Sequence, residues 1–226
     1  MKILILAESA SNPRSFPEKD KTYLEETYPY ILREGFKDSI FWQLSFGNIT
    51  SEELCSQAIG YLSHWNPDVI IVHSGLNDCR PEPMSNFQKD LFNFLSFGLI
   101  NRVGLIKRLI YNPFLIQRRN KSRVTKKSFI KTLKRFKLIF SKSKIYWLEI
   151  GAKEDYEKDR PGFKKKSVEY NQLIHQVFHE DMIMIMDEIN KVNGFNTDNL
   201  HWRKGAHNVV AEILKKRIKN DFKEYS

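Results

Sequence analysis

The chain has 226 residues, of which 41% are hydrophobic, and this is enough material for one sizeable α/β domain. Its two cysteines, Cys55 and Cys79, exclude a disulfide framework and a four-cysteine metal site. The first apolar run ends at Glu8, and no run reaches the roughly 18 apolar residues of a spanning helix. We therefore expect a cytoplasmic protein without a secretory signal and with both thiols reduced.

The net charge of +10 belongs to one part of the chain. Between Leu91 and Leu148 the sequence has fifteen Lys or Arg and no Asp or Glu, and the other 22 basic side chains are outnumbered by the 27 acidic ones. Electrostatic attraction to an anionic partner must therefore come from residues 91–148, while the rest of the domain is mildly acidic.

Apolar runs and helix caps predict strands that alternate with helices. In chain order they are strand Lys2–Leu6, helix Lys21–Glu34, strand Ser39–Leu44, a helix from Thr50 or Ser51 to about His64, strand Val69–His73, strand Lys144–Ile150, helix Lys166–His179, strand Met182–Met186 and helix Arg203–Lys219. Asp20 is the predicted N-cap of the first helix, which Pro29 should kink or shorten. This order predicts a mostly parallel five-stranded sheet covered on both faces, a flavodoxin-like three-layer α/β sandwich.

One long segment interrupts this alternation between the third and fourth strands. Residues 83–143 are far more than a single crossover helix needs, and a structureless loop of that length is uncommon in a compact domain. We expect two or more helices there, arranged around Asn112 and Pro113. The whole chain, residues 1–226, is then one domain with a basic helical insertion.

Three short motifs that carry reactive groups fall at the same edge of the predicted sheet. Ala7-Glu8-Ser9 follows the first strand, Gly75-Leu76-Asn77-Asp78 follows the third, and Asp198-Asn199-Leu200-His201 lies in a loop after the last. Open α/β sheets bind ligands beyond the carboxyl ends of their strands. The motifs supply a serine, a histidine with a carboxylate three residues before it, and an amide donor, which are the parts of a serine nucleophile site.

These motifs, with Ser45-Phe46-Gly47-Asn48-Ile49-Thr50, resemble the conserved blocks of the SGNH (GDSL-like) hydrolases. The resemblance covers the chain from Met1 to about Leu214 apart from the insertion, and Lys204-Gly205-Ala206-His207 continues it. The first block departs from the family's Gly-Asp-Ser, since it has Ala7 and Glu8 before the serine. That departure puts the local turn geometry in question, because a residue with a Cβ replaces glycine.

The resemblance implies a role for each matching residue. Ser9 would be the nucleophile, His201 the general base and Asp198 the residue that orients His201. The backbone N–H groups of Ser9 and Gly47 and the side-chain amide of Asn77 would form the oxyanion hole. No metal and no cofactor is implied.

For other residues near the motifs, a structural role is an alternative to a functional one. Arg14 and Arg80 could bind an anionic group of the substrate, although solvated surface arginines are commoner. Asp78 is expected to hold the loop of Asn77. His73 and Cys79 are expected to be buried without a reactive role, and the histidines at 175 and 179 are expected to be structural rather than metal ligands.

The basic segment 91–148 mixes large apolar side chains with Lys and Arg, a mixture typical of contact with an anionic membrane. Nucleic acid is disfavoured because no nucleic-acid motif is present, and a helical cap with a solvated basic face stays an alternative. The expected function is an ester hydrolase that removes an O-acyl or O-acetyl group from a carbohydrate or a surface-polysaccharide precursor, including a lipid-linked glycan at the inner membrane face. The alternatives are an O-acyltransferase with the same triad and a non-catalytic descendant that binds a glycan or lipid.

Overall fold

A five-stranded parallel sheet forms the middle layer of the protein. The structure, a computed structural model, describes residues 1–84 and 112–222. The described residues form seven strands in all, which are β1 (Lys2–Glu8), β2 (Ile40–Phe46), β3 (Val69–His73), β4 (Pro81–Glu82), β5 (Lys121–Ser122), β6 (Lys144–Leu148) and β7 (Met182–Ile183). The sheet has the order β2-β1-β3-β6-β7, and β4 pairs with β5 in a separate antiparallel ladder. The predicted flavodoxin-like α/β sandwich is confirmed.

Helices cover both faces of this sheet. They are α1 (Tyr28–Gly35), α2 (Ser51–Leu62), α3 (Leu76–Cys79), α4 (Pro113–Arg119), α5 (Lys126–Ile139), α6 (Tyr156–Asp159), α7 (Phe163–Phe178), α8 (Met186–Lys191) and α9 (Lys204–Asp221). On one face α2, α5 and α7 bury their apolar sides, and on the other α1, α8 and α9 do so.

The alternation of side chains along the strands separates the two cores. In β1, Leu4 and Leu6 point to the α2–α5–α7 side, whereas Ile3, Ile5 and Ala7 point to the opposite side. All five residues are at most 1% exposed, because a strand between two neighbours in a parallel sheet is covered by helices on both faces.

The first helix is shorter than predicted, and Asp20 is not its N-cap. Helix α1 begins at Tyr28, and Pro29 lies in its first turn, where a missing N–H costs no intrahelical hydrogen bond. A short 3₁₀ turn, Leu24–Glu26, occupies part of the predicted earlier stretch, and another, Glu18–Asp20, comes just before it. The cap at Thr50 is correct, since its hydroxyl accepts from the Glu53 N–H and the Glu53 carboxylate accepts from the Thr50 N–H.

Strands β6 and β7 end earlier than predicted. Side chains, instead of a neighbouring strand, bind the backbone groups that would have continued the ladder. Asn171 accepts from the Ile150 N–H and donates to the Ile150 carbonyl, so Ile150 leaves the ladder. The Glu149 carboxylate accepts the N–H groups of Ile185 and Met186 at 2.9 and 3.0 Å. The chain therefore turns into α8 at Met186 instead of continuing as strand.

The predicted insertion is described only in part. Helices α4 and α5 come before and after β5 in the sequence and agree with the expectation of two or more helices around Asn112 and Pro113. The Asn112 side chain caps α4. The part of the insertion from 85 to 111, with its apolar and basic residues, lies outside the described residues. Within residues 1–84 and 112–222, no helix combines the length and apolarity that crossing a membrane requires.

Candidate active site

The structure brings Ser9, His201 and Asp198 into one line of hydrogen bonds. Ser9 Oγ lies 2.9 Å from His201 Nε2, and His201 Nδ1 lies 2.7 Å from Asp198 Oδ2. An ionised carboxylate can only accept, so Nδ1 carries the imidazole proton and Nε2 is free to accept the serine hydroxyl. Ser9 directly follows β1 and His201 comes shortly before α9, so the fold brings together two residues that are 192 positions apart in the sequence.

Local structure fixes the loop that carries the histidine. Phe195 and Trp202 form an antiparallel bridge across its base. Asp198 Oδ1 accepts the N–H groups of Leu200 and His201, which closes the loop around the carboxylate. Partial burial acts to raise the pKa of Asp198, but the hydrogen bonds from His201 outweigh it and leave the pKa well below its usual value. Asp198 is therefore ionised, as an orienter of the imidazole must be.

The segment after the nucleophile is fastened to the same loop at two points. Arg14 Nη1 donates to Asp198 Oδ2 at 2.6 Å, the oxygen that also accepts from His201. Asp20, which is 2% exposed, accepts the Thr197 N–H at 3.0 Å and also the Thr197 hydroxyl. Burial opposes ionisation of Asp20, yet the bonds from Thr197 and Arg203 hold its pKa below the usual value.

The three predicted oxyanion donors lie on neighbouring parts of the sheet edge. In the β1–β2 register Glu8 is opposite Phe46, so Ser9 and Gly47 are the next residues of two adjacent strands. Asn77 is 3% exposed in the first turn after β3, the other neighbour of β1. A Cβ at Gly47 would meet nothing within 4 Å, so the glycine leaves open space at this edge.

Gly75 is required at the turn between β3 and α3. Its φ of 122° is in a region that residues with a side chain rarely adopt, and a Cβ would lie 2.4 Å from Ile150 Cδ1. The turn sends the chain back over the sheet edge and points Asn77 toward β1. This conformation explains why the motif has glycine at this position.

The Glu8 side chain holds the turn between β3 and α3 together. Its buried carboxylate accepts the Gly75 N–H at 2.6 Å, the Asn77 N–H at 3.2 Å and Asn77 Nδ2 at 2.7 Å, together with the Ser74 hydroxyl at 2.9 Å. One of the two hydrogens on Asn77 Nδ2 is thus directed to Glu8. Ala7 is an ordinary strand residue in the core, so its Cβ does not disturb the turn.

Sequence reasoning named Glu8 only as a departure from the family pattern and did not give it a role. The signal that could have found it is a carboxylate at the end of a fully apolar strand, because a buried acid requires several donors. Burial raises the pKa of Glu8 above its usual value, the nearby Asp78 adds to the rise, and the hydrogen bonds from Gly75 and Ser74 oppose it.

The remaining predicted residues have identifiable partners. Arg80 donates to Glu82 Oε1 through Nε at 3.0 Å and Nη2 at 2.8 Å, and to Asn48 Oδ1 at 3.1 Å. Asp78 Oδ2 accepts the Ser51 N–H at 2.9 Å and lies 3.0 Å from the Ser51 hydroxyl at the start of α2, so it joins the Asn77 turn to that helix. Substrate binding by Arg14 or Arg80 stays a prediction, since both contact protein acceptors here.

His73 and Cys79 are buried, as expected. His73 stacks on Trp202 with 4.4 Å between ring centroids, and burial lowers its pKa to about 3. Burial raises the pKa of the Cys79 thiol well above its usual value, which disfavours a thiolate. No group of three or more His, Cys, Asp or Glu able to hold a metal ion occurs in residues 1–84 and 112–222, the stretch that contains both His175 and His179.

Solved structures with the same architecture cover nearly the whole chain. A lipase/acylhydrolase from Enterococcus faecalis superposes with a TM-score of 0.63 at 12% identity, covering 97% of this chain and 96% of that one. The chain has the fold of these hydrolases. An esterase from a Pseudoalteromonas species follows with a TM-score of 0.59 at 16% identity, covering 98% of each chain. An acetyl-xylooligosaccharide esterase from Geobacillus stearothermophilus, solved as a mutant, has 0.60 at 15% identity over 96% of this chain and 93% of that one.

This fold is the one that the resemblance to the SGNH hydrolases implies. No protein-family model matches the chain, and no curated protein matches it significantly in sequence. At identities of 12–16% the structural likeness establishes the fold, and the activity has to be argued from the residues of the site.

Proposed function

We propose that the chain is a serine ester hydrolase in which Ser9 is the nucleophile, His201 the general base and Asp198 the residue that orients the base. The observation that carries this proposal is the unbroken line of hydrogen bonds from Ser9 Oγ through His201 to Asp198 at 2.9 and 2.7 Å. A serine hydroxyl attacks an acyl group only when a base removes its proton, and the 2.9 Å between Ser9 Oγ and His201 Nε2 supports His201 as that base.

The geometry supports a two-step reaction. Ser9 Oγ attacks the ester carbonyl, His201 takes the proton and then returns it to the leaving alcohol, and Asp198 stabilises the imidazolium between these events. The N–H groups of Ser9 and Gly47 and the second hydrogen of Asn77 Nδ2 would stabilise the oxyanion. Water activated by His201 then releases the acid from the acyl-enzyme. Transfer to a sugar hydroxyl instead of water would make the same site an O-acyltransferase.

The proposed substrate is an O-acetylated or O-acylated carbohydrate, including a glycan attached to an anionic lipid carrier. One structural neighbour is itself an acetyl-xylooligosaccharide esterase. A cavity of about 270 Å³ is lined by four basic side chains, Arg119, Lys121, Arg123 and Lys126, and their charge favours an anionic group of the substrate. One of these side chains reaches toward the predicted oxyanion donors, since Arg123 Nη1 donates to Oδ1 of Asn48, the residue after Gly47, at 2.7 Å.

A peripheral position at a membrane is supported by helix α5. Its buried side consists of Phe129, Leu133 and Phe136. The other side is exposed and carries basic residues, and Leu138 near its end is 75% exposed. An amphipathic helix with such a surface can lie against anionic lipid.

Hydrolysis of a soluble acetyl ester by purified protein tests the proposal. We expect Ser9→Ala and His201→Ala each to lower kcat by 10³-fold or more (about 4 kcal/mol) while the melting temperature stays near that of wild type. The double variant should be little worse than either single one, because the two residues act as a unit. Residual activity of Ser9→Ala within about threefold of wild type would refute the assignment.

Acetylated oligosaccharides, with and without a phosphate-linked carrier, then identify the substrate. Product analysis with an added sugar acceptor distinguishes transfer from hydrolysis. Binding of a glycan by the wild type with no turnover of any ester would favour the non-catalytic alternative.

A further inference from the structure

Two buried carboxyl groups behind the oxyanion site are joined by two serine hydroxyls. Glu8 Oε1 lies 2.9 Å from Ser74 Oγ, Ser74 Oγ lies 2.9 Å from Ser51 Oγ, and Ser51 Oγ lies 3.0 Å from Asp78 Oδ2. All four residues are at most 3% exposed. The chain of contacts therefore runs from the residue before the nucleophile to the residue after Asn77.

This series of contacts needs more hydrogens than the two serine hydroxyls supply. Three oxygen–oxygen contacts at hydrogen-bond distance require three hydrogens, and two hydroxyl groups provide two. If both carboxyl groups were ionised, each serine would donate to its neighbouring carboxylate. Ser51 Oγ and Ser74 Oγ would then face each other at 2.9 Å with no hydrogen between them. The third hydrogen has to come from one of the carboxyl groups.

We propose that Glu8 and Asp78 share a single proton through Ser51 and Ser74, and that this proton keeps the charge behind the oxyanion site at one negative unit. Two ionised carboxylates at the ends of a short buried chain would repel each other in a medium of low dielectric constant. Holding one proton removes that repulsion and completes the hydrogen bonds at the same time.

The number of fixed N–H donors assigns the proton to Asp78. Glu8 accepts three N–H groups, those of Gly75 and Asn77, which can never act as acceptors. Asp78 Oδ2 accepts only the N–H of Ser51 beside the hydroxyl. The anion is therefore better stabilised at Glu8, and a protonated Oδ2 of Asp78 can accept from the Ser51 N–H while it donates to Ser51 Oγ.

The groups on the surrounding elements add no second negative charge near the pair, and one cation lies close enough to act on it. The thiols of Cys55 and Cys79 are buried nearby, and their raised pKa values keep them neutral. Burial raises the pKa of Tyr170 to about 12, so its phenol also stays neutral near Asp78. Arg123 is the cation that acts on Asp78 and favours its charged form, but burial is the larger effect and raises the pKa of Asp78.

The shared proton has a consequence for the reaction of the proposed function. Glu8 binds Asn77 through its backbone N–H and its side-chain amide, and Asp78 is the next residue in the chain. A second negative charge on this pair, formed at Asp78, would therefore act against a developing oxyanion. When the pair loses its proton at alkaline pH, kcat should fall by about tenfold, the effect of one unit charge some 10 Å away at an effective dielectric constant of about 20. KM should change little.

Infrared spectroscopy tests whether one carboxyl group of the pair is protonated, and it does so independently of enzymatic activity. At pH 7 the wild type should show the carbonyl stretch of a protonated carboxyl group, and incorporation of ¹³C-aspartate should shift it. Asp78→Asn should abolish the band. Absence of the band from the wild type at pH 7 would overturn the shared proton, whether or not the protein is an esterase.

The pH dependence of kcat tests the link to the oxyanion site. The wild type should lose activity on the alkaline side, and Asp78→Asn, which cannot ionise, should not. Glu53→Gln is the matched control, because it weakens the same start of α2 through the Thr50 cap but leaves the carboxyl pair intact. It should keep the alkaline loss. An alkaline loss of the same size in Asp78→Asn would refute the link.

Discussion

Replacing Asp20 with alanine should release the loop that carries His201. Asp20 comes from the segment after the nucleophile and holds Thr197, the residue before Asp198, through its backbone N–H and its hydroxyl. A hydrogen bond to a charged group contributes roughly 1.5–3 kcal/mol. Thr197 is exposed and can turn to water once it is released, so we expect a loss of about 1–3 kcal/mol in the free energy of unfolding.

The larger effect should be on the rate. A displacement of about 1 Å in a reacting group can cost about 10²-fold in rate, and the freed loop carries both Asp198 and His201. We expect kcat for a soluble acetyl ester to fall by about 10- to 100-fold, with KM changed by less than about threefold. Asp20→Asn keeps an oxygen acceptor and should show a smaller loss. Urea unfolding and steady-state kinetics on the same preparations measure both quantities.

Asp181→Ala is the matched control. Asp181 also accepts from cationic side chains, Lys144 at 2.7 Å and Arg217 at 3.4 Å, but it precedes β7 at the opposite edge of the sheet. It should lose stability without losing kcat. If both variants lose similar stability and keep similar kcat, positioning of the base loop by Asp20 is refuted.

The stability difference between wild type and Asp20→Ala should also depend on pH. The pKa of Asp20 is lower in the folded state than in the unfolded chain. Its contribution is therefore present above the ordinary aspartate value of about 3.9 and is lost as the pH falls through the lower folded-state value. The two proteins should converge in stability below that range. A difference that stays constant down to the acid limit would mean that the carboxylate charge does not contribute.

Two further predictions concern the oxyanion donor and the basic helix. Asn77→Ala should lower kcat by about 10²-fold or more with little change in KM, because the amide acts mainly in the transition state, whereas an effect on KM alone would make it a substrate-binding residue. Charge reversal at Lys126, Lys127, Lys131 and Lys134 should abolish salt-sensitive sedimentation with anionic lipid vesicles and spare hydrolysis of a soluble ester. Failure of the wild type to bind such vesicles at low salt would leave a solvated cap as the better account of this surface.

The presence of a parallel sheet between two layers of helices was determined by the sequence itself. Runs such as Val69–His73 are apolar on both faces, and only a strand covered by helices on both sides can bury them. The polar motifs directly after β1 and β3 had to meet, because the carboxyl ends of neighbouring parallel strands share one edge. Capping at Thr50 and Asn112 was equally local, since each cap depends on residues two or three positions away.

Only the tertiary structure decided the features that depend on contacts between distant segments. Asp20 caps no helix, because its carboxylate accepts from Thr197, which lies 177 residues away in the sequence, and α1 begins at Tyr28. Strand β7 ended early because Glu149 accepts its next N–H groups. Glu8 looked like a departure from a family pattern, and its role became visible only when four donors from the β3–α3 turn were placed around it. A buried carboxylate is stable only where hydrogen-bond donors surround it, and the sequence alone does not place those donors in space.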